Sequence, residues 1–323
     1  MSRPRIVLTR RWPAAVEQRL AERYEVVVNE DDHPLSPAEL RDALMSADAV
    51  LTTVSDRIDA EVLAVDAPRA KVLVNYGVGF NHIDVAAATA RGIVVTNTPD
   101  VLTDCTADLA LTLMLMIARR AGEGEREVRA GAWSGWRPTH LVGSRVSGKI
   151  LGLIGMGRIG RAVARRAQFG FGMQVLYFNR SPVPASELEG LDARACHSVE
   201  EVLARADFVS LHCPGGVTNR HLINRERLAH MQRHAFLINT ARGDVVDEAA
   251  LAWALTNGII AGAGLDVYEA EPHVNEDLLA LPNVVLLPHL GSATEETRVG
   301  MGLRAMQNLD AFFDGRTPPD RVA

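Results

Sequence analysis

Residues 149–160 read KILGLIGMGRIG. Lys149–Ile154 has the apolar character of a buried strand, and it runs directly into Gly155-Met156-Gly157-Arg158-Ile159-Gly160. An Arg/Ala-rich stretch of helical character follows. A bare GxGxxG means little, but one set between a strand and a helix has the context of a dinucleotide-binding turn. Gly155 permits the tight turn, Gly157 lets the backbone approach a pyrophosphate, and Gly160 lets the helix pack close to the strand. The helix N-terminus then presents unpaired N–H groups to the anion. Arg158 and Ile159 are counted with the three glycines as cofactor contacts.

About 20 residues further on, an NAD-specific site presents an acidic residue to the ribose 2′-hydroxyl. Here the sequence reads Asn179-Arg180-Ser181, neutral donors and a guanidinium. A guanidinium suits an additional 2′-phosphate, so NADP(H) is expected in preference to NAD(H), with NAD(H) still usable. Arg180 stacking on the adenine or pointing to solvent is the competing reading.

Around this turn the chain alternates strand and helix signals. Arg5–Thr9, Glu25–Val28, Ala49–Thr53, Val72–Asn75 and Ile93–Thr96 are extended, with helical periodicity over Ala14–Arg23 and a capped, proline-started helix at Ser36-Pro37-Ala38-Glu39. A long helix is expected from Thr106 to about Arg129, then a loop at 131–138. Further strands are expected at Gln174–Phe178, Phe208–His212, Ala235–Asn239, Ala261–Asp266 and Val284–Pro288. Such alternation argues for parallel sheets covered on both faces. With 323 residues, two domains are the natural expectation.

Composition excludes several function classes. Hydrophobic residues are 47% and charged residues 23%, as in a globular protein, and the net charge of −6 gives no basic field for a polyanion. The longest apolar run, LALTLMLMIA at 109–118, is about half of the roughly 20 residues that cross a bilayer. No membrane or nucleic-acid partner is expected. The N-terminal segment lacks signal-peptide character, so a cytoplasmic location is expected. The three cysteines, Cys105, Cys196 and Cys213, form no metal-ligand spacing with the ten histidines, so no metal and no disulfide are expected.

Arg242, Glu271 and His289 fall at the carboxyl ends of the later expected strands, the edge where open parallel sheets bind ligands. Reducing a 2-keto acid needs a cation to hold the substrate, a proton donor for the developing alkoxide, and a group that keeps that donor charged. Arg242 offers the fork, His289 the near-neutral acid, and a carboxylate such as Glu271 the partner that favours imidazolium.

The chain resembles the D-isomer-specific 2-hydroxyacid dehydrogenases, within them the glyoxylate/hydroxypyruvate reductase branch. The resemblance rests on GMGRIG at 155–160, NTARGDVVDEAAL at 239–251, GAGLDVYEAEP at 262–272 and LPHLGSAT at 287–294. It implies an α/β fold of two Rossmann-like doubly wound parallel-sheet domains with a cleft between them. The substrate domain would be discontinuous, 1–99 plus 291–323, and the dinucleotide-binding domain 100–290. It makes Arg242, Glu271 and His289 the catalytic residues, with Glu269 a decoy. NYGVGFNHID at 75–84 resembles the substrate loop, whose N–H groups at Val78 and Gly79 bind the carboxylate. The resemblance further implies cofactor contacts at Thr106, Cys213, Pro214, Thr218, Thr240, Ala241, Asp266 and Gly291, and substrate contacts at Leu102 and Trp136. The helix and the loop GAWSGWRP at 131–138 look like a homodimer arm that sends Trp136 into a partner's site; Trp136 as interface filler is the competing reading.

Within that family, formate dehydrogenases carry glutamine where Glu271 stands, and phosphite dehydrogenases carry lysine where Val78 stands. A 3-phosphoglycerate or other D-2-hydroxyacid dehydrogenase using NAD is the nearest alternative. An NAD(H)-sensing corepressor-like binding module is the alternative of another class.

Overall fold

The computed structural model describes residues 3–322. In chain order the elements begin β1 (Arg5–Leu8), α1 (Ala14–Arg23), β2 (Glu25–Val28), α2 (Pro37–Ser46), β3 (Ala49–Thr52), β4 (Val72–Asn75), α3 (Val85–Ala90) and β5 (Val94–Thr96). They continue with α4 (Thr103–Ala118), α5 (Ala121–Arg129), β6 (Ile150–Ile154), α6 (Arg158–Phe171), β7 (Gln174–Phe178), β8 (Ala193–Ala195), α7 (Val199–Leu203) and β9 (Phe208–Leu211). The last are α8 (Arg225–His230), β10 (Phe236–Asn239), α9 (Glu248–Thr256), β11 (Gly262–Leu265), α10 (Glu276–Leu279), β12 (Val284–Leu286) and α11 (Glu295–Phe313). Two compact units result, one ending at Leu102 and resuming at Ala293, the other running from Thr103 to Ser292.

The first unit holds a five-stranded sheet in the order β2-β1-β3-β4-β5, with every neighbouring pair parallel. Its strands β3 and β4 are buried along their whole length, which explains sequences that are apolar up to their last residues, Thr52 and Asn75. Helix α2 starts where the sequence says it should: Ser36 Oγ accepts the Glu39 N–H and Glu39 returns the bond to Ser36 N, with Pro37 at the first position. Helix α11 completes this unit by packing on α1. Gly302 makes the approach possible, since a Cβ there would lie 2.7 Å from both Val16 methyls. Asn308 Nδ2 also donates to Asn97 O at 3.1 Å, and Val322 N donates to Val95 O at 2.8 Å.

The second unit holds a seven-stranded sheet ordered β12-β11-β10-β9-β6-β7-β8, again parallel throughout. Two apolar clusters flank it, one centred on α4 and α6 with Leu113, Met114 and Phe208, the other on α7, α8 and α9 with Leu203, Leu228 and Leu251. Both expected sheets are present. The long helix is not continuous: it breaks after Ala118, where Arg120 adopts φ +53, and restarts at Ala121. The cause is tertiary. Ser144 N donates to Ala118 O at 2.7 Å, and Gly143 lies so close that a Cβ would sit 2.3 Å from the same oxygen. A returning strand of backbone has taken the carbonyl that the next helical turn needs.

Among the described residues no helix is long and apolar enough to cross a membrane. Cys105, Cys196 and Cys213 are free thiols.

Replacing Gly302 by alanine should lower stability by about 1–3 kcal/mol through overpacking against Val16. Urea unfolding checks this, and Val16→Ala in the Gly302→Ala background should recover part of the loss. An unchanged midpoint would show that the α1–α11 contact tolerates the methyl.

Candidate active site

In the seven-stranded sheet β6 is flanked by β7 on one side and β9 on the other, so the strand order reverses there. Ligands bind outside the carboxyl ends of strands at such a point. The glycine turn leaves β6 at this place. Gly155 has φ +99, and a Cβ on it would lie 2.7 Å from the His212 carbonyl and 2.8 Å from Cys213 N. Gly160 is equally constrained, its Cβ falling 2.2 Å from Gly155 O, whereas Gly157 faces open space. Helix α6 begins at Gly157 with no side-chain cap and no acidic residue in its first turn, so its positive end is left for an anion. Thr240 Oγ1, at the end of β10, is buried without a hydrogen-bond partner. An open glycine, an uncapped helix start and an orphaned hydroxyl are the features that a dinucleotide would complete.

Beyond β7, Arg180 and Ser181 are exposed. Asn179 is already engaged, its Oδ1 accepting the Met156 N–H at 3.1 Å and its Nδ2 donating to Ser181 O at 2.8 Å. It therefore braces the glycine turn against the next loop. After β9, burial pushes the Cys213 thiol up to about 11, against the opposing influence of Arg180. Pro214 and Thr218 lie on the same loop, where Thr218 is exposed.

Arg242, Glu271 and His289 are brought together from the ends of β10, β11 and β12. His289, at φ +56, donates from Nδ1 to Glu271 Oε2 at 2.8 Å, which leaves Nε2 as the outward nitrogen. Glu271 Oε1 accepts the Tyr268 N–H at 3.0 Å. Burial pushes the Glu271 carboxyl upward, but His289, the Tyr268 N–H and the Arg242 charge outweigh it and hold the group below the ordinary 4.5. Burial lowers Arg242 despite Glu271 and Asp244. Its turn is fixed by Asn239, which accepts the Ala241 N–H and donates to Arg242 O.

Asp266 fixes the histidine's chain. Its backbone carbonyl accepts the His289 N–H, and its carboxylate accepts those of Leu290 and Gly291 at 2.7 and 2.8 Å. Burial still raises its carboxyl above 3.8. Thr106, in the first turn of α4, donates to Gly291 O at 2.9 Å.

The other unit carries Leu102, which is buried, and the half-buried Val78 and Gly79. Sequence reasoning missed what shapes that loop. Asn75 donates from Nδ2 to both Gly77 O and Gly79 O at 3.0 Å, and Asn97 donates to Val78 O at 2.8 Å. Three successive carbonyls are tied back by the two asparagine amides. The signal lay in the asparagine at the end of β4, immediately before the glycines. Trp136 stands 81% exposed on its loop in the second unit.

A family model described as D-isomer specific 2-hydroxyacid dehydrogenase, NAD binding domain, matches residues 111–291. The chain belongs to the D-isomer-specific 2-hydroxyacid dehydrogenase family. It is an NAD(P)-dependent oxidoreductase of the glyoxylate reductase branch. A glyoxylate reductase from Thermococcus kodakarensis is 48% identical, with 99% of this chain and 96% of the relative covered. Among solved structures, a protein from Thermus thermophilus superposes with a TM-score of 0.89 at 47% identity, covering 99% of this chain and 100% of that one. An NADPH-dependent glyoxylate/hydroxypyruvate reductase from Sinorhizobium meliloti, in complex with NADP and malonate, gives 0.86 at 37% identity over 100% and 97%.

Because the folded-state value of Glu271 is depressed, the stability it contributes is fully present above 4.5 and is lost as pH falls through the lowered value. Wild type should therefore exceed Glu271→Gln in urea midpoint at neutral pH, with the gap closing below about pH 4. A gap that stays constant on acidification would remove the charged pairing.

Proposed function

We propose that this enzyme reduces small 2-keto acids, glyoxylate to glycolate and hydroxypyruvate to D-glycerate, with NADPH preferred over NADH. The observation that carries the reading is the 2.8 Å bond between His289 Nδ1 and Glu271 Oε2 beside Arg242, in the unit that holds the glycine turn. The names of the Thermococcus and Sinorhizobium relatives point the same way.

NADPH, when bound, supplies the hydride that reaches C2 of the keto acid. Arg242 holds the carboxylate, and its guanidinium polarises the carbonyl. His289 enters as imidazolium and gives its Nε2 proton to the oxygen as C2 is reduced. Glu271 stabilises that imidazolium through Nδ1–H and fixes the ring. The glycine turn and the start of α6 would hold the pyrophosphate, and Thr240, Ala241, Asp266 and Gly291 would supply further cofactor contacts. Arg180, with Ser181, takes the 2′-phosphate, which gives it a charge-assisted bond that NADH cannot make.

His289→Ala should lower kcat by about 10²–10⁴ at neutral pH, and retained turnover would remove His289 as the acid. A panel of keto acids with both cofactors tests substrate and cofactor together. Arg180→Ala should cut kcat/KM for NADPH by roughly 10- to 150-fold while sparing NADH. A wild type that clearly prefers NADH would overturn the cofactor reading.

The loop at 131–138 supports a homodimer, since Trp133 and Trp136 are 54% and 81% exposed, an apolar display that favours burial against a second copy. Sedimentation should find a dimer for wild type and a weakened one for the Trp133→Ala/Trp136→Ala double variant. A monomeric wild type would refute this part.

A further inference from the structure

The two glutamates of Glu269-Ala270-Glu271 each bind a histidine, and both histidines have left-handed backbone. Glu271 takes His289 at φ +56; Glu269 takes His221 at φ +50, with Nε2 and Oε1 2.5 Å apart. That conformation is disfavoured for a residue with a Cβ and persists where surrounding contacts fix it. The first pair belongs to the proposed chemistry. The second does not, and Glu269 is otherwise unexplained.

His221 lies at the end of the loop that follows β9. That loop starts against the glycine turn, with Cys213 N 2.8 Å from where a Gly155 Cβ would be. Its middle rests on the Arg242–Asp244 turn: Gly216 N donates to Asp244 Oδ2 at 2.7 Å, and a Cβ on Gly215 would fall 2.5 Å from Asp244 Oδ1 and 2.9 Å from Arg242 Cβ. Its end is doubly fixed, His221 N donating to Asp244 O at 2.7 Å while the ring reaches Glu269. Arg220 adds a weaker, exposed contact to Glu269 at 3.3 Å. From the other side, the buried Glu248 accepts the Glu269 N–H at 2.8 Å. Glu269 is thus held by both its side chain and its backbone, two residues from Glu271.

We propose that His221 and Glu269 are a positioning pair that fixes the 213–222 loop to the segment carrying Glu271, and so sets cofactor affinity without touching the reacting atoms. This rests on the reading above that Pro214 and Thr218 contact the cofactor. The pair couples the glycine turn at one end of the loop to the Glu271 segment at the other.

The test is NADPH binding to the full-length enzyme, read by nicotinamide fluorescence, in wild type, His221→Ala, Glu269→Ala, the double variant and Glu269→Gln. Each alanine variant should raise Kd by about 5- to 50-fold. The double variant should be no worse than either single, because the two share one interaction. Glu269→Gln, which keeps an acceptor for His221, should recover most of the affinity and guards against a variant that merely fails to fold. At saturating NADPH, kcat and its acidic pH limb should stay as in wild type, whereas Glu271→Gln should move both. Unchanged Kd values, additive losses, or an acidic limb that moves with Glu269 as it does with Glu271 would each overturn the proposal. If wild type binds neither NADPH nor NADH, the functional reading falls and this one with it; if wild type binds and the variants bind equally, only this one falls.

Discussion

Gly243 lies so close to the Tyr268–Glu269 peptide that a Cβ on it would sit 1.8 Å from the Tyr268 carbonyl carbon and 2.4 Å from Glu269 N. No side chain fits there, and backbone is not a neighbour that yields. The contact presses the turn after β10 against the segment after β11. Arg242 stands on one side of it and Glu271 on the other, so the guanidinium and carboxylate share a site because one residue lacks a side chain. His289 then joins from β12 through Asp266, which receives three successive N–H groups from His289, Leu290 and Gly291. Adjacent parallel strands bring all three carboxyl ends to one edge, and the glycine closes the remaining distance.

Several carboxylates crowd this edge, and their surroundings give them different work. Burial raises Glu248, with Glu269 and Glu271 adding to the effect, while its oxygen holds a backbone N–H. Asp266 is likewise raised by burial and likewise spent on backbone. Glu269 answers His221 and Arg220. Glu271 is held low, because His289, a backbone N–H and Arg242 together outweigh its desolvation. A carboxylate that stays charged beside a histidine stabilises imidazolium, and a protonated one would not. In the proposed reaction the histidine that donates the proton is thus the one whose carboxylate partner is held charged by its neighbours.

Both parallel sheets, and α1, β2, β4 and β7 to the residue, were legible as apolar runs alternating with helical periodicity. So was the capping box at Ser36–Glu39, since its signal is local. The break at Arg120 was not legible, because its cause is Gly143 and Ser144, more than twenty residues away in sequence. Glycines within 106–129 suggested no stop, and the segment kept its helical character on both sides of the break. The choice of Glu271 over Glu269 came from family spacing, whereas the physical distinction, a histidine apiece, needed coordinates. Asn75 and Asn97 were invisible for the same reason: an amide side chain declares nothing about which carbonyls it turns.

Several residues that the sequence marks as cofactor contacts also carry internal bonds. Thr106 Oγ1 holds Gly291 O, Asp266 holds Leu290 and Gly291, and Asn179 ties Met156 to Ser181. Removing such a side chain frees the loop it braces as well as any contact it makes with a ligand. Thr240 differs, since its buried hydroxyl has no protein partner, and Gly157 differs because nothing stands over it. Of the residues read as cofactor contacts, Thr240 and Gly157 are thus left uncompensated by the protein itself, whereas Thr106, Asp266 and Asn179 are already committed to bracing their loops.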